Sequence, residues 1–234
     1  MTKQGLPMMS NEPSTITEPI EVDGKFDGYV VCIGASAGGL DALERFFSVC
    51  SVDTGAAFVV VQHLSPDHKS MMNTLLSRHT RMPVIMVEED MPLRGDCLFL
   101  IPPGSVMHVS RGHLHLKPKK SHEFTLPIDI FFSSLASVYG KQSVGIVLSG
   151  TGSDGTRGVA AISAAGGFLM AQDPESSKFD GMPRSAISTG LMNAVLPPDE
   201  LAARLRAYLF NEPYAETVLP ISVTPHSALS HDEA

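Results

Sequence analysis

Between residues 29 and 210 the chain alternates short apolar runs with segments of helical period, and this alternation limits the possible folds more than any other feature. Apolar runs occupy 29–33, 58–61, 83–87, 97–101, 144–148, 168–170 and 194–196. Between them lie helical patterns: one with Leu40, Leu43, Phe46 and Phe47 on one side, then others over about 69–79, 128–139 and 157–165, and a last one from Asp199. The runs are apolar at nearly every position, so both faces of each strand must be covered, as in a parallel sheet between two helix layers. One stretch breaks the rhythm: 106–109, the turn Arg111-Gly112 and 113–116 read as an antiparallel hairpin. The expectation is α/β: one doubly wound, mostly parallel sheet in α/β/α layers with one antiparallel hairpin.

Charge divides the chain further. The 234 residues carry a formal charge of −8, but 1–28 hold −3 of it and 211–234 hold −4, which leaves −1 for 29–210. Both ends lack helical or strand period and are punctuated by proline, so they read as flexible acidic segments: an N-terminal arm at 1–28, and a tail or linker at 211–234. The near-neutral body offers no basic face for a phosphate backbone, so no nucleic acid is expected as partner. The one basic cluster, Lys117, Lys119 and Lys120, lacks interleaved aromatics and reads as a solvated loop. No run approaches the roughly 18 apolar residues of a membrane span, so the chain is not expected to span a membrane. No apolar block follows Lys3, so no secretory signal is expected. Three cysteines without a Cys-x-x-Cys spacing (Cys32, Cys50 and Cys97) point to reduced thiols and a cytoplasmic compartment.

In a Rossmann-like sheet of this kind, ligands and catalytic groups collect where strands end and helices begin. Three such places carry chemistry. Gly34-Ala35-Ser36-Ala37-Gly38-Gly39 fits G-x-S-x-G, whose small residues permit a tight turn that exposes the hydroxyl of Ser36; the alternative is a phosphate-cradling or structural glycine turn. Gln62-His63 follows the second run, so His63 could reach a neighbouring strand end as a base, or could cap the next helix. Ser149-Gly150-Thr151-Gly152-Ser153-Asp154-Gly155 closes the fifth run, and Asp154 there could orient a histidine or act as an N-cap. His68 and His79 read as helix-surface residues, and His113 and His115 as a strand face; no metal spacing supports a metal site, and no cofactor is expected.

The order Ser, His, Asp departs from the α/β-hydrolase order of Ser, acid, His. A dinucleotide-binding reading is weaker still, because Ala35 and Ser36 break the GxGxxG pattern and Asp53 precedes its strand. A non-catalytic signalling or binding module, holding a phosphate or a partner segment in the glycine loops, remains the alternative to an enzyme. A pure binder has no need of the Ser36, His63 and Asp154 set.

Several ordered motifs carry a resemblance across about 29–210. Ile33-Gly-Ala-Ser36-Ala-Gly-Gly39, Val61-Gln-His63, Ile101-Pro-Pro-Gly104, Leu148-Ser-Gly-Thr-Gly-Ser-Asp154-Gly155, Ala171-Gln-Asp-Pro174 and Gly181-Met-Pro183 together resemble the catalytic domain of CheB-type chemotaxis protein-glutamate methylesterases. The resemblance implies a serine hydrolase that cleaves glutamate γ-methyl esters on methylated chemoreceptors and releases methanol; some members also deamidate receptor glutamines. It implies Ser36 as nucleophile, His63 as general base, Asp154 as orienting carboxylate, and an oxyanion hole of backbone N–H groups at Ala37 and near Thr151. Two positions depart from the pattern: Ala37 stands where many members have Thr, and Thr151 where many have Met. The basic residues that members often place before the Pro-Val-Asp segment are weak here, where 121–125 read Ser-His-Glu-Phe-Thr. Many members carry an N-terminal phospho-receiver domain, for which 1–28 are too short. The body is therefore more similar to the esterase module found fused to a CheR-type methyltransferase, which adds such a module to the expected partners.

Overall fold

Successive residues of the first strand, β1 (Val30–Ala35), turn alternately to two cores. Val30 and Cys32 face one cluster, and Val31, Ile33 and Ala35 face the other. The second strand, β2 (Ala57–Gln62), does the same, with Ala57, Val59 and Val61 on one side and Phe58 and Val60 on the other. A strand buried on both faces reads as a continuous apolar run, which is the pattern seen in the sequence. The computed structural model describes residues 25–62, 71–119 and 125–214.

After β1 come α1 (Gly39–Val49), β2, α2 (Met72–Leu76), β3 (Val84–Met86), β4 (Met91–Pro92) and β5 (Leu98–Leu100). The hairpin β6 (Ser105–Ser110) and β7 (His113–Pro118) leads to α3 (Pro127–Tyr139), β8 (Ser143–Val147), α4 (Thr156–Ala164), β9 (Phe168–Gln172), α5 (Gly181–Ile187), β10 (Ala194–Leu196) and α6 (Pro198–Leu209). Seven strands form one parallel sheet in the order β10-β9-β8-β1-β2-β5-β3. Helices α1, α2 and α6 cover one face through Leu43, Phe46, Phe47, Leu76 and Leu201. On the other lie α3, α4 and α5 through Phe131, Phe132, Leu135, Ile162 and Met182, together with the hairpin residues Met107, Val109 and Leu114. The expected doubly wound α/β sheet with one antiparallel hairpin is what the chain forms.

Some expected elements move. The run at 97–101 is an inner strand of the sheet, between β2 and β3. The helix expected over 69–79 is α2, five residues long; 69–70 lie outside the described residues. Ser77 ends it, its hydroxyl donating to the Asn73 carbonyl at 2.7 Å while its side chain also meets the Asn73 amide oxygen, local bonds that compete with further helix. Lys117 sits exposed on β7 rather than in a loop, and Lys120 lies outside the described residues. Two elements had no signal: β4, two residues that pair with β7, and α5. Of the expected arm, 1–24 lie outside the described residues; Phe26 packs against the core and the Lys25 ammonium stands over the Tyr139 ring at 4.7 Å. Of the expected tail, 215–234 lie outside them.

Helices α3 and α4 approach so closely that α4 needs a glycine at the contact. A Cβ at Gly158 would stand 2.3 Å from the Phe132 Cβ, inside any tolerable van der Waals distance. Gly158→Ala is therefore expected to destabilise the protein by about 2 kcal/mol, the overpacking outweighing the roughly 1 kcal/mol of helix propensity that alanine adds. Denaturant unfolding checks this, and an unchanged midpoint would refute the contact.

Candidate active site

The chain winds outward from β1 in both directions: β2, β5 and β3 build one half of the sheet and β8, β9 and β10 the other. The connections therefore part at the carboxyl ends of β1 and β8, and the crevice left there is where an open α/β sheet offers room for a ligand. Two of the three chemically loaded segments lie at this point. β1 ends at Ala35, directly before Ser36, and β8 ends two residues before Ser149.

Ser36 is held by its backbone. Its N–H donates to the Ser149 carbonyl at 3.0 Å, one rung beyond the bond from Leu148 N–H to the Gly34 carbonyl at 2.9 Å. Its own carbonyl accepts from Gly39 N–H at 2.9 Å, which closes the turn into α1. Gly38 adopts φ +71° in that turn, a conformation that side chains resist, and a Cβ there would also sit 2.8 Å from the Ser149 hydroxyl. Gly150 lies against the serine itself, since a Cβ at 150 would stand 2.9 Å from the Ser36 Cβ and 2.2 Å from the Met182 sulfur. Small residues here bring two strand ends into contact around one hydroxyl.

Ser149, fully buried, is the hub of this contact. Its hydroxyl donates to the Ala37 carbonyl at 2.9 Å and accepts from Phe179 N–H at 3.0 Å. Its N–H donates to the Gln172 side-chain oxygen at 2.8 Å, and the Gln172 amide donates to the Ser176 carbonyl at 2.9 Å. Gly150 N–H donates to the Phe179 carbonyl, and Met182 N–H to the Gly150 carbonyl, both at 2.9 Å. The segment from Ser176 to Met182 is thereby strapped across both strand ends.

A groove of about 310 Å³ opens beside the serine, lined by Ser36, Gly38, Leu40, Asp41, Glu44, Gln62 and Lys178. A second groove of about 400 Å³ shares Asp41 and Glu44 with it and continues along α1 to Arg45, Ser48, His79 and Asp199. At that far end Arg45 pairs with Asp199 at 2.5 Å, while His79 hydrogen-bonds the Ser48 hydroxyl at 2.9 Å.

The expected base, His63, lies outside the described residues, as does His68. Its neighbour Gln62 does not: it closes β2 in register with Ala35, and its amide reaches the Ser36 carbonyl at 3.5 Å. Thr151 and Gly152 are exposed on the loop after Gly150. The hairpin histidines are paired with acids, His115 to Glu89 and His113 to Asp90, both at 3.1 Å. Among the described residues no group of three or more His, Cys, Asp or Glu side chains is arranged to hold a metal.

Asp154 is buried, 3% exposed. It does not cap the helix that follows it, because the N-cap of α4 is Gly155 and carries no side-chain cap bond. Its carboxylate reaches across to α3, accepting from Ile128 N–H at 3.1 Å and Asp129 N–H at 2.9 Å. The amides of a first helical turn have no partner within their own helix, and the helix dipole favours a negative charge there.

The sequence reading missed Asp129, the third residue of α3, which is 7% exposed. Its Oδ1 accepts from Gly158 N–H at 2.8 Å, in the first turn of α4. Burial pushes the Asp129 carboxyl above the ordinary range, the Gly158 amide pulls it back and the nearby Asp154 charge pushes it up again. The signal was available: 129, 132 and 136 share one helical stripe, so an acid there occupies an apolar face.

Two predictions follow from these environments. Ser149→Ala leaves the Ala37 carbonyl and the Phe179 amide without their buried partner, so unfolding free energy should fall by about 1–3 kcal/mol in denaturant melts; an unchanged value would show that the hub carries no weight. For Asp129 the folded pKa is raised, so the folded chain holds this proton more tightly than the unfolded chain does. Its contribution is full below the ordinary value of about 3.9 and is lost as pH rises through the folded value. Asp129→Asn removes this titration, so the wild type should lose stability relative to the variant between pH 4 and neutrality, read from paired melts across that range.

A family model described as CheB methylesterase matches residues 31–205. A protein-glutamate methylesterase/protein-glutamine glutaminase of Paramagnetospirillum magneticum is 36% identical over 181 residues, covering 76% of this chain and 51% of that protein. One of Moorella thermoacetica is 33% identical over 184 residues, covering 76% of the chain and 43% of its own length. A 104.1 kDa uncharacterized protein of Rhodobacter capsulatus is 51% identical over 142 residues, 61% of this chain and 15% of that one. The solved CheB methylesterase catalytic domain of Thermotoga maritima superposes with a TM-score of 0.71 at 26% identity, over 77% of this chain and 98% of that one. The chain thus spans about half the length, or less, of these full-length relatives.

Proposed function

The chain belongs to the CheB methylesterase family, and from that premise we propose that it is a serine hydrolase that removes methyl groups from glutamate γ-methyl esters of chemoreceptors. The observation that carries this reading is the contact of two strand ends around Ser36: a serine on a tight turn at the head of α1, beside an open groove, with the buried carboxylate Asp154 on the loop from the adjacent strand.

In this reading His63 takes the hydroxyl proton as the Ser36 oxygen attacks the ester carbonyl. The negative charge that develops on the carbonyl oxygen is held by backbone N–H groups at Ala37 and Thr151, at the positive end of α1. Two neighbouring amides are already committed, that of Ser36 to Ser149 and that of Gly150 to Phe179, which supports the choice of the next residue in each segment. His63 then protonates the departing methoxide, methanol leaves, and the glutamyl ester of Ser36 remains. Water, deprotonated by the same histidine, attacks that ester and restores the serine while the glutamate carboxylate departs. Asp154 orients His63 and stabilises the imidazolium form. Support for the base comes from Gln62, the residue before His63 in the sequence, which ends β2 level with Ala35, the residue before Ser36.

Attack by Ser36 on a glutamine side-chain amide would follow the same course, ammonia leaving in place of methanol to give the same glutamyl ester for water to hydrolyse, and the names of the relatives include protein-glutamine glutaminase. The larger relative, of which this chain matches 15%, supports a role as one module beside others, and the CheR-type methyltransferase is the module that the sequence resemblance implies. The three cysteines are buried and unpaired, in keeping with a cytoplasmic setting. No helix of the described residues is long and apolar enough to cross a membrane.

With methylated receptor membranes as substrate, Ser36→Ala should abolish methanol release while the folded fraction stays at the wild-type level. Asp154→Asn should lower kcat by about 10²–10⁴-fold, because the histidine would lose its charged partner. A serine-reactive organophosphonate should label Ser36. Wild-type turnover in Ser36→Ala would remove the assignment and leave a binding module in its place.

A further inference from the structure

Neither α3 nor α4 brings a side-chain cap of its own: the residues at their N-caps, Leu126 and Gly155, make no side-chain cap bond. Each helix is instead capped by an acid that belongs to the other. Asp154, one residue before the α4 N-cap, accepts from Ile128 and Asp129 N–H in the first turn of α3. Asp129, within that first turn of α3, accepts from Gly158 N–H in the first turn of α4. The arrangement is closed, since the amide of Asp129 binds Asp154 while its carboxylate binds the helix that Asp154 leads into.

Both acids are nearly free of solvent, at 7% and 3% exposure. A lone buried carboxylate serving only as a cap would be costly, because a single acid at either helix end would satisfy the orphan amides from the surface at less desolvation. Two of them, exchanged between helices, do something that surface caps cannot. They fix the start of α3 and the start of α4 to each other, and the Asp154 carboxylate hangs between those two points. Gly158 allows this, because its missing side chain lets Phe132 of α3 lie against it. The Gly158 N–H bond to Oδ1 is the main tie of this acid to the start of α4, where the backbone amides of Arg157 and Gly155 also favour its charge.

We infer that Asp129 is a positioning residue for the proposed ester hydrolysis: by tying the first turn of α4 to α3, it holds the Asp154 carboxylate at the place and angle from which it orients the general base. Asp129 touches no substrate and acts through Asp154. This inference rests on the reading of Asp154 as the orienting acid. A displacement of a catalytic group by about 1 Å can cost on the order of 10²-fold in rate, so the effect belongs in kcat.

The test is steady-state methanol release from methylated receptor membranes by the full chain, with rates expressed per folded molecule. Asp129→Ala, which removes the acceptor, should lower kcat by about 10–100-fold with KM within about twofold of wild type. Asp129→Asn, whose amide oxygen can still accept from Gly158 N–H, should recover kcat to within about fivefold of wild type. Leu135→Ala, in the same helix but away from its first turn, should lose stability while keeping kcat per folded molecule. If Asp129→Ala does not fold, Asp129→Glu keeps the charge but shifts the carboxylate by one methylene and should show the same kcat loss with KM preserved. Unchanged kcat in Asp129→Ala or Asp129→Glu, no recovery in Asp129→Asn, or an equal loss in Leu135→Ala would each overturn the inference. A wild type that releases no methanol, with Ser36→Ala indistinguishable from it, would overturn the parent reading and this inference together. An active wild type with inactive Ser36→Ala and unimpaired Asp129→Ala would overturn only the inference.

Discussion

The bond from the Ser36 amide to the Ser149 carbonyl, at 3.0 Å, is where the β1–β8 ladder ends and the two chain directions part. Everything at the candidate site is measured from it. Upstream, the ladder is shielded on both faces by apolar side chains and cannot slip, because a one-residue shift would exchange the two cores. Downstream, the backbone has left the sheet and its polar groups must find partners elsewhere. Ser149 supplies them: a hydroxyl that both donates and accepts joins the Ala37 carbonyl to the Phe179 amide, and so ties the Ser36 turn, the β8 loop and the segment before α5 at a single buried atom. Apolar packing fixes where the strand ends stand, while this polar hub fixes the orientation of what they carry.

A second constraint acts on the opposite side of the β8 loop. Asp129 and Asp154 lie under low exposure where charge is expensive, and what offsets that expense is the set of orphan amides at two helix starts. The burial of Asp129 and the nearness of Asp154 oppose its ionisation, and the Gly158 amide favours it. Cys32 of β1, fully buried, feels the same field: its thiol is pushed up first by burial and then by the Asp154 charge. The Asp154 carboxylate, on the loop between β8 and α4, therefore acts on a group of the sheet and on one of the helix layer. The same burial that makes this acid costly is what would make its charge effective toward an imidazolium, because little water screens it.

Charge is placed just as unevenly at the surface. The body from 29 to 210 carries only −1, so attraction or repulsion of a partner by net charge is slight, and the charges beside Ser36 are the local ones that line the groove. There Lys178 stands on the strapped segment, across from Asp41 and Glu44 of the first turns of α1. The strap that orders Lys178 is the one held by Ser149, through the bonds of Phe179 and Gly150. The wall of the groove and the turn that presents the serine thus share one anchor.

The architecture was legible in the sequence because it rests on hydrophobic period, which local composition records directly. The runs at 58–61 and 144–148 became β2 and β8 with ends shifted by one residue, and the hairpin formed about its Arg111-Gly112 turn, where both residues have positive φ. What failed had no local record. β4 is two residues whose strand character comes only from pairing with β7, and α2 ends early through side-chain bonds of Ser77 that no apolar period encodes. The glycine turn and the Asp154 loop could be found as motifs, yet the sequence placed the Asp154 carboxylate on its own helix as one of two options. The structure sends it to the other helix, where the Ile128 amide that it meets lies 26 residues earlier in the chain. Asp129 was harder still, although its position on an apolar stripe was visible. A buried acid has meaning only once its partners are known, and those partners are backbone amides, which every residue but proline carries and which sequence therefore cannot distinguish.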